Sequence, residues 1–180
     1  MSHASTARHA LRSATADLHE RVDRAYGRYD LSDVSQYTLF LKAQAAGLLP
    51  VECAIDRSPL RDIVPDWSER RRAHLLRADL AALGVAPRAD GAGVGLANTE
   101  EVLGAVYVLE GARLGGAVLA RVVPAHFPAQ FLAGVDARRW RLLLDILERV
   151  LISPRQRAAA IDAACRVFAL FEGGANERTA

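Results

Sequence analysis

Residues 99–123 read TEEVLGAVYVLEGARLGGAVLARVV, and this stretch decides the fold. It is mostly apolar and opens with a capping-box pattern, Asn98 followed by Glu101, so it is predicted to be a helix that ends before Pro124. Glycines stand inside it at positions 104, 111, 115 and 116. Each costs about 1 kcal/mol relative to alanine in a helix interior, on the order of 4 kcal/mol together. Such departures from local preference are found mostly at functional sites.

One face of this helix presents bare backbone. Three of the glycines share that face with three other residues: Gly104, Tyr107, Val108, Gly111, Ala112 and Gly115. Two interpretations fit the pattern. Another helix packs closely against the glycines, or a flat ligand approaches the backbone there. The adjacent pair Gly115 and Gly116 further predicts a kink.

The segments that precede this helix also predict helices. Over residues 7–26, apolar side chains recur at spacings of three and four, as on one face of a helix. Ser32 is predicted to cap a second helix, which Pro50 should kink or split. Asp66 and Glu69 predict a capping box for a third helix that runs to Leu83.

The segments that follow it continue the pattern. Asp136 is predicted to cap one helix, and Ser153 with Pro154 and Gln156 predicts the start of a last helix that ends at Gly173. Strand patterns are nearly absent. The chain is therefore predicted to be a single all-α domain, 1–180, of six or seven helices. Residues 1–6 and 173–180 are predicted to be tails, and 84–97 a surface loop.

Composition and charge exclude several classes of protein. The chain has 180 residues, 51% hydrophobic and 24% charged, which excludes a disordered chain. Its net charge of +2 gives no excess for binding nucleic acid. The apolar stretch contains Glu110 and Arg113 and is judged too polar to span a membrane. Cys53 and Cys165 lack metal-site spacing and are expected to be reduced thiols in a cytoplasmic protein.

His19 is a candidate ligand on the first predicted helix. A single histidine at the border of an apolar stripe is often structural, but Asp23 lies four residues later and can accept a proton from its Nδ1. That leaves Nε2 as a free ligand atom, as in many metal-bound histidines. Thr15 lies on the same stripe. Arg12 is about 10 Å from His19 by helix rise and could hold an anionic group.

Two motifs resemble a known family. LRSATADLHERVD, residues 11–23, is similar to the proximal helix of haem oxygenases, and YVLEGARLGG, residues 107–116, is similar to their distal helix. The resemblance is nearest to the bacterial biliverdin-producing enzymes found beside phytochromes. It extends weakly through Trp140 and residues 164–171, and so covers most of the chain.

The resemblance implies a site and a reaction. Haem b would be both substrate and cofactor, cleaved at a meso carbon to biliverdin, CO and Fe²⁺ with O₂ and electrons from an external donor, ferredoxin-like or other. His19 would ligate the iron, with Asp23 as its partner. The predicted distal wall consists of Gly111, Ala112, Gly115 and Gly116. The predicted contacts to haem or its propionates are Arg12, Thr15, Tyr107 and Arg141. A phytochrome is the implied recipient of the biliverdin.

The sequence departs from the family pattern at Ala112. Animal members carry Asp at this position and many bacterial members carry Ser, so proton delivery would depend on backbone groups or on another side chain, such as Arg113 or a residue of the last helices. Two other functions fit the same residues. One is a haem carrier or sensor without turnover, and the other is a helical protein without haem, in which the glycines only pack helices.

Overall fold

The structure is a computed structural model that describes residues 6–86, 94–134 and 136–177. It is all-α over those residues, as predicted. The eight helices are α1 (Ala7–Ala14), α2 (Ala16–Tyr26), α3 (Val34–Arg57), α4 (Trp67–Arg70), α5 (Ala73–Ala82), α6 (Thr99–Leu119), α7 (Ala137–Val150) and α8 (Pro154–Asn176), with a 3₁₀ turn at Arg61–Ile63. Half of the predicted loop 84–97, residues 87–93, lies outside the described residues.

Helix α8 is the centre of the packing, because it contacts α1, α2, α3 and α6. Small residues make the closest crossings possible. A Cβ atom at Gly104 of α6 would overlap the backbone of Ala160, and one at Gly174 would lie 2.6 Å from the carbonyl oxygen of Ala43. Because these glycines have no side chain, the backbone of α8 can lie in direct contact with the backbones of α6 and α3.

Three of the predicted helix starts are confirmed. Asn98 accepts from the backbone N–H of Glu101, and Asp136 accepts from that of Arg138. Ser153 forms a complete capping box with Gln156. At α3 the predicted cap was wrong by one position, because Asp33 accepts from the N–H of Gln36.

The predicted helix 66–83 is divided in two. Asp66 makes no capping hydrogen bond, and its carboxylate instead accepts from Nε of Arg70 at 2.7 Å. Glu52 of α3 accepts from the backbone N–H groups of Arg72 and Ala73 at 2.8 and 2.9 Å. Because this buried carboxylate satisfies two free amides of a helix start, a new helix, α5, begins at Ala73.

Three other predicted boundaries change. Helix α3 continues through Pro50, which is buried, so the predicted split is wrong. The first predicted helix is interrupted at Thr15, whose hydroxyl donates to the carbonyl oxygen of Leu11 at 2.8 Å and competes with the helical hydrogen bonds. The tail predicted from residue 173 is wrong for residues 173–176, because Gly174 packs on α3 and α8 continues to Asn176.

Helices α3 and α6 are long and apolar enough to cross a membrane by length and composition alone. Most of the apolar window of each is buried inside the protein, at 61% and 56% respectively. Helices buried in a protein core also meet these criteria of length and composition. Helix α6 is uninterrupted from Thr99 to Leu119. The kink in its axis predicted at Gly115 and Gly116 stays a prediction.

Candidate functional site

A cavity of about 640 Å³, here called the main cavity, lies between the first two helices and α6. Residues of α1 and α2 line one side and the glycine face of α6 lines the other. Phe40 and Gln44 of α3 and Phe168 and Phe171 of α8 also line it. The volume falls within the range of small-molecule and cofactor sites.

His19 lines the main cavity and is paired as predicted with Asp23. Its Nδ1 lies 3.1 Å from a carboxylate oxygen of Asp23, one helical turn away. The imidazole also contacts Phe168 edge-on, with ring centroids 6.0 Å apart. Asp23 therefore favours the tautomer with the proton on Nδ1, which leaves the lone pair of Nε2 free to bind a metal. The side chain is 59% exposed, so a ligand can reach it.

The four glycines of α6 have two different roles. Gly104 packs on α8. Gly116 lines the main cavity, but a Cβ atom there would lie 3.3 Å from Leu132. At Gly111 and Gly115 a Cβ atom would meet nothing within 4 Å, and both residues line the main cavity. Close helix packing is therefore confirmed at Gly104, and the approach of a flat ligand to Gly111 and Gly115 stays a prediction. Gly111 and Gly115 leave open space in front of bare backbone.

One end of the main cavity is basic. Arg8 and Arg12 of α1 line it beside Tyr107 of α6 and Trp140 of α7, whose rings lie 5.7 Å apart. Burial raises the pKa of the Tyr107 phenol, and the charges of Arg8 and Arg12 act in the opposite direction. Both guanidinium groups therefore lie near this hydroxyl. Within the described residues, neither arginine has an acidic partner, which makes this end suited to an anion.

The opposite end differs in charge. There Gly115 and Leu119 border a second cavity of about 690 Å³, which is lined by apolar residues with Asp23 and Asp30. No basic side chain of the described residues lines that second cavity. A ligand with carboxylates on one edge and apolar groups on the other would therefore bind in a defined direction.

Three of the predicted contact residues are less well placed than Arg12 and Tyr107 to form hydrogen bonds with a ligand in the main cavity. Thr15 and Ala112 line the main cavity, but the hydroxyl of Thr15 is buried and donates to Leu11. Arg141 is exposed on α7 and does not line the cavity. The structure thus brings Arg12, His19 and Tyr107 together and leaves Arg141 apart.

Arg113 does not contribute a side chain to the main cavity, so its predicted role in proton delivery is wrong. It is buried, donates to the backbone carbonyl of Arg70, and lies 3.3 Å from the carboxylate of Glu110. Glu110 also pairs with Arg70 at 3.1 Å. A buried charge needs such partners, and the partners of Arg113 lie away from the glycine face.

Arg72 and Gln44 are cavity residues that the sequence did not indicate. Arg72 and its neighbour Arg70 are charged residues, yet they are only 3% and 1% exposed. The Arg72 guanidinium donates to the carbonyl of Leu109 at 3.0 Å and lies 4.8 Å from the ring centre of Phe131. Burial, with the nearby charge of Arg113, lowers its pKa to about 10, so it stays protonated at neutral pH.

The fold and the site together define an all-α protein with an open cavity that is lined by a histidine, by bare helix backbone and by two arginines without acidic partners among the described residues. No family profile matches the sequence. A haem oxygenase of Xanthomonas campestris pv. campestris is 40% identical over 113 residues, covering 58% of this chain and 67% of that protein.

Two solved structures share the fold. The NO- and CO-bound haem oxygenase from Neisseria meningitidis gives a TM-score of 0.82 at 24% identity, covering 97% of this chain and 92% of that one. The haem oxygenase from Leptospira interrogans gives 0.72 at 17% identity, covering 97% and 100%. The chain belongs to the haem oxygenase family and is an oxidoreductase.

Proposed function

We propose that the protein binds haem b in the main cavity and cleaves it at a meso carbon to biliverdin, CO and Fe²⁺. The observation that carries the proposal is that one cavity is lined both by His19, whose Nε2 is free, and by the open backbone of Gly111 and Gly115. Bound haem supplies the iron at which O₂ is reduced, and the same macrocycle is the substrate.

His19 is the proposed iron ligand, and Asp23 orients it. A histidine that donates its Nδ1 proton to a carboxylate is held in one ring orientation and becomes a better donor through Nε2. The contact with Phe168 restrains the ring from the side. These contacts fit a proximal ligand, because the imidazole is fixed before the ligand binds while its Nε2 stays accessible.

The open backbone at Gly111 and Gly115 is proposed to form the distal wall. No histidine, aspartate or glutamate occupies these two positions, so the only groups they offer are backbone atoms and the space in front of them. A wall of this kind restricts a small ligand by shape. It also leaves room for water, which is needed when protons must be delivered without an acidic side chain at position 112.

Arg72 and Gln44 are the proposed polar partners for that water. Both line the main cavity, and the Arg72 guanidinium remains charged because its pKa of about 10 is well above neutral pH. A protonated guanidinium only donates hydrogen bonds, whereas a glutamine amide both donates and accepts. The pair can therefore orient water in the cavity from one side, in the role that Arg113 cannot fill.

The basic end of the cavity is proposed to bind the two propionates of haem. Arg12 and Tyr107 supply a guanidinium and a phenol there, while the second cavity at the other end has no basic lining residue among those described. The direction of the bound haem follows from this difference in charge.

The reaction also needs partners. The electrons are proposed to come from an external donor, ferredoxin-like or another reductant. Membership of the phytochrome-associated subtype, a phytochrome as recipient of the biliverdin, and a cytoplasmic location are parts of the proposal that follow from the sequence resemblance alone.

The experiment that tests the function mixes the pure protein with haemin. A Soret band at one-to-one stoichiometry is expected, and on addition of ascorbate in air the band should decay as biliverdin absorption appears. A stable band under these conditions would identify a haem carrier or sensor. No band at all would identify a protein in which the glycines serve only helix packing.

Arg12→Glu should weaken haem binding more than it slows turnover. A charge-assisted contact that is partly exposed is worth about 1–2 kcal/mol, so the Kd for haem should rise roughly tenfold. Because propionate contacts also fix the in-plane rotation of haem, the biliverdin isomer ratio should change. Soret titration and chromatography of the product measure the two effects.

The matched control for Arg12→Glu is Arg24→Glu. Arg24 lies on α2, is exposed, and does not line the main cavity, so the same reversal of charge there should leave affinity and isomer ratio unchanged. Equal affinities for the Arg12→Glu and wild-type proteins would remove Arg12 from the propionate site.

A further inference from the structure

The start of α1 departs from a local rule of helix stability. Arg8 stands in the first turn, which contains no acidic residue. A cation at a helix N-terminus is disfavoured by the helix dipole, and an anion is favoured there. In this structure the anion comes from another helix, because Glu148 of α7 binds the first amides of α1.

Glu148 binds two backbone amides with its two carboxylate oxygens. The N–H of Ala7 donates to Oε2 at 2.9 Å, and the N–H of Arg8 donates to Oε1 at 3.0 Å. The next free amide, that of His9, donates to the Thr6 hydroxyl at 3.2 Å. The side chains of Glu148 and Thr6 thus satisfy the first three amides of α1, and Glu148 joins α1 to α7.

The guanidinium of Arg8 is left for the main cavity. Glu148 contacts the backbone of Arg8 and forms no ion pair with its side chain. Arg8 and Arg12 are one helical turn apart, about 6 Å along the axis. Both line the cavity beside Tyr107 and both act on its pKa. Two unpaired cations at this spacing match a ligand with two carboxylates.

We propose that Glu148 is a positioning residue that holds α1 against α7 and so places Arg8 and Arg12 for the two carboxylates of the substrate. Arg8 is then the second carboxylate-binding residue of the site. The inference rests on the proposed function, because the two carboxylates are the propionates of haem. It replaces Arg141, which is exposed outside the cavity, with a residue of α1.

The test compares haem with haem dimethyl ester, whose propionates are uncharged. Glu148→Ala should raise the Kd for haem about fivefold and leave the Kd for the ester unchanged. A merely structural role of Glu148 would weaken both ligands equally, because both use His19 and the apolar walls. Equal losses for the two ligands would therefore overturn the proposal, as would an unchanged Kd for haem.

Two further variants make the result specific. Asp145→Ala removes an exposed acidic residue of α7. The Asp145 side chain makes no hydrogen bond or ion pair with the described residues, so this substitution should leave both Kd values unchanged. Arg8→Ala should show the same selective loss, and adding Glu148→Ala to it should weaken binding by less than the product of the single effects. Additive losses would contradict the link between Glu148 and Arg8.

Stability and function are separated within the same experiment. Glu148→Gln keeps an acceptor for one of the two amides and should give an intermediate, still selective loss, even if the alanine variant folds poorly. If the wild-type protein prefers haem to the ester through Glu148 but forms no biliverdin, the proposed catalysis fails and the positioning role stands. If it forms biliverdin with no such preference, the positioning role fails alone.

Discussion

His19→Ala is expected to abolish turnover of haem while part of the haem binding remains. The iron loses its proposed protein ligand, but the apolar walls and the basic end of the cavity still contact the macrocycle. Free imidazole should restore part of the activity, because the side chain is 59% exposed and the vacated space opens to solvent. The Soret position and the rate of biliverdin formation, with and without imidazole, measure the effect.

His126→Ala is the control for that experiment. His126 is also exposed, but it lies in the segment after α6 against Phe127 and does not line the main cavity. Its removal should change neither the spectrum nor the rate. Wild-type turnover by His19→Ala in the absence of imidazole would show that another residue ligates the iron, and the assignment of His19 would then be wrong.

The histidine and its partner could be predicted because both lie on one helix. The spacing of His19 and Asp23 brings the two side chains together in any α-helix, so the 3.1 Å contact follows from local geometry. The helix starts at Asn98, Asp136 and Ser153 are local in the same sense, and they are confirmed.

The burial of Arg72 could not be predicted because the groups that contact it are distant in sequence. Arg72 is fixed by Glu52, twenty residues earlier, and by the carbonyl of Leu109, thirty-seven residues later. In a chain where every basic residue except Lys42 is arginine, residue type alone does not distinguish a buried arginine from an exposed one. The same long-range contacts explain why the predicted helix 66–83 is divided.

The different roles of the glycines could not be predicted for a related reason. Helical periodicity places Gly104, Gly111 and Gly115 on one face, and nothing within α6 distinguishes them. The difference arises because α8 crosses α6 at Ala160, beside Gly104, whereas the main cavity lies in front of the other two. A single sequence pattern therefore serves helix packing at one position and lines the main cavity at the others.

Gly115→Leu should give a folded protein that binds haem poorly or holds it without turnover. Nothing lies within 4 Å of a Cβ atom at position 115, so the native protein can accept the side chain. Replacing a helical glycine with leucine also removes a cost of about 1 kcal/mol, so the melting temperature should stay equal or rise. The leucine would fill the space opposite His19 that the proposed reaction needs for O₂.

Gly104→Leu is the matched control, since it makes the same substitution on the same face of the same helix. There the new side chain would overlap the backbone of Ala160, which cannot move without separating α6 from α8. Overpacking of this kind costs more than about 3 kcal/mol, so this variant should lose stability first and haem binding only as a consequence.

Melting temperature, haem affinity and biliverdin yield, measured together for both variants, separate the two roles. A stable, inactive Gly115→Leu beside a destabilised Gly104→Leu supports a distal wall at Gly115, because only a loss of space near the ligand stops turnover without loss of fold. A Gly115→Leu protein that forms biliverdin at the wild-type rate would show that O₂ does not bind against this part of α6, whatever the stability of its partner variant.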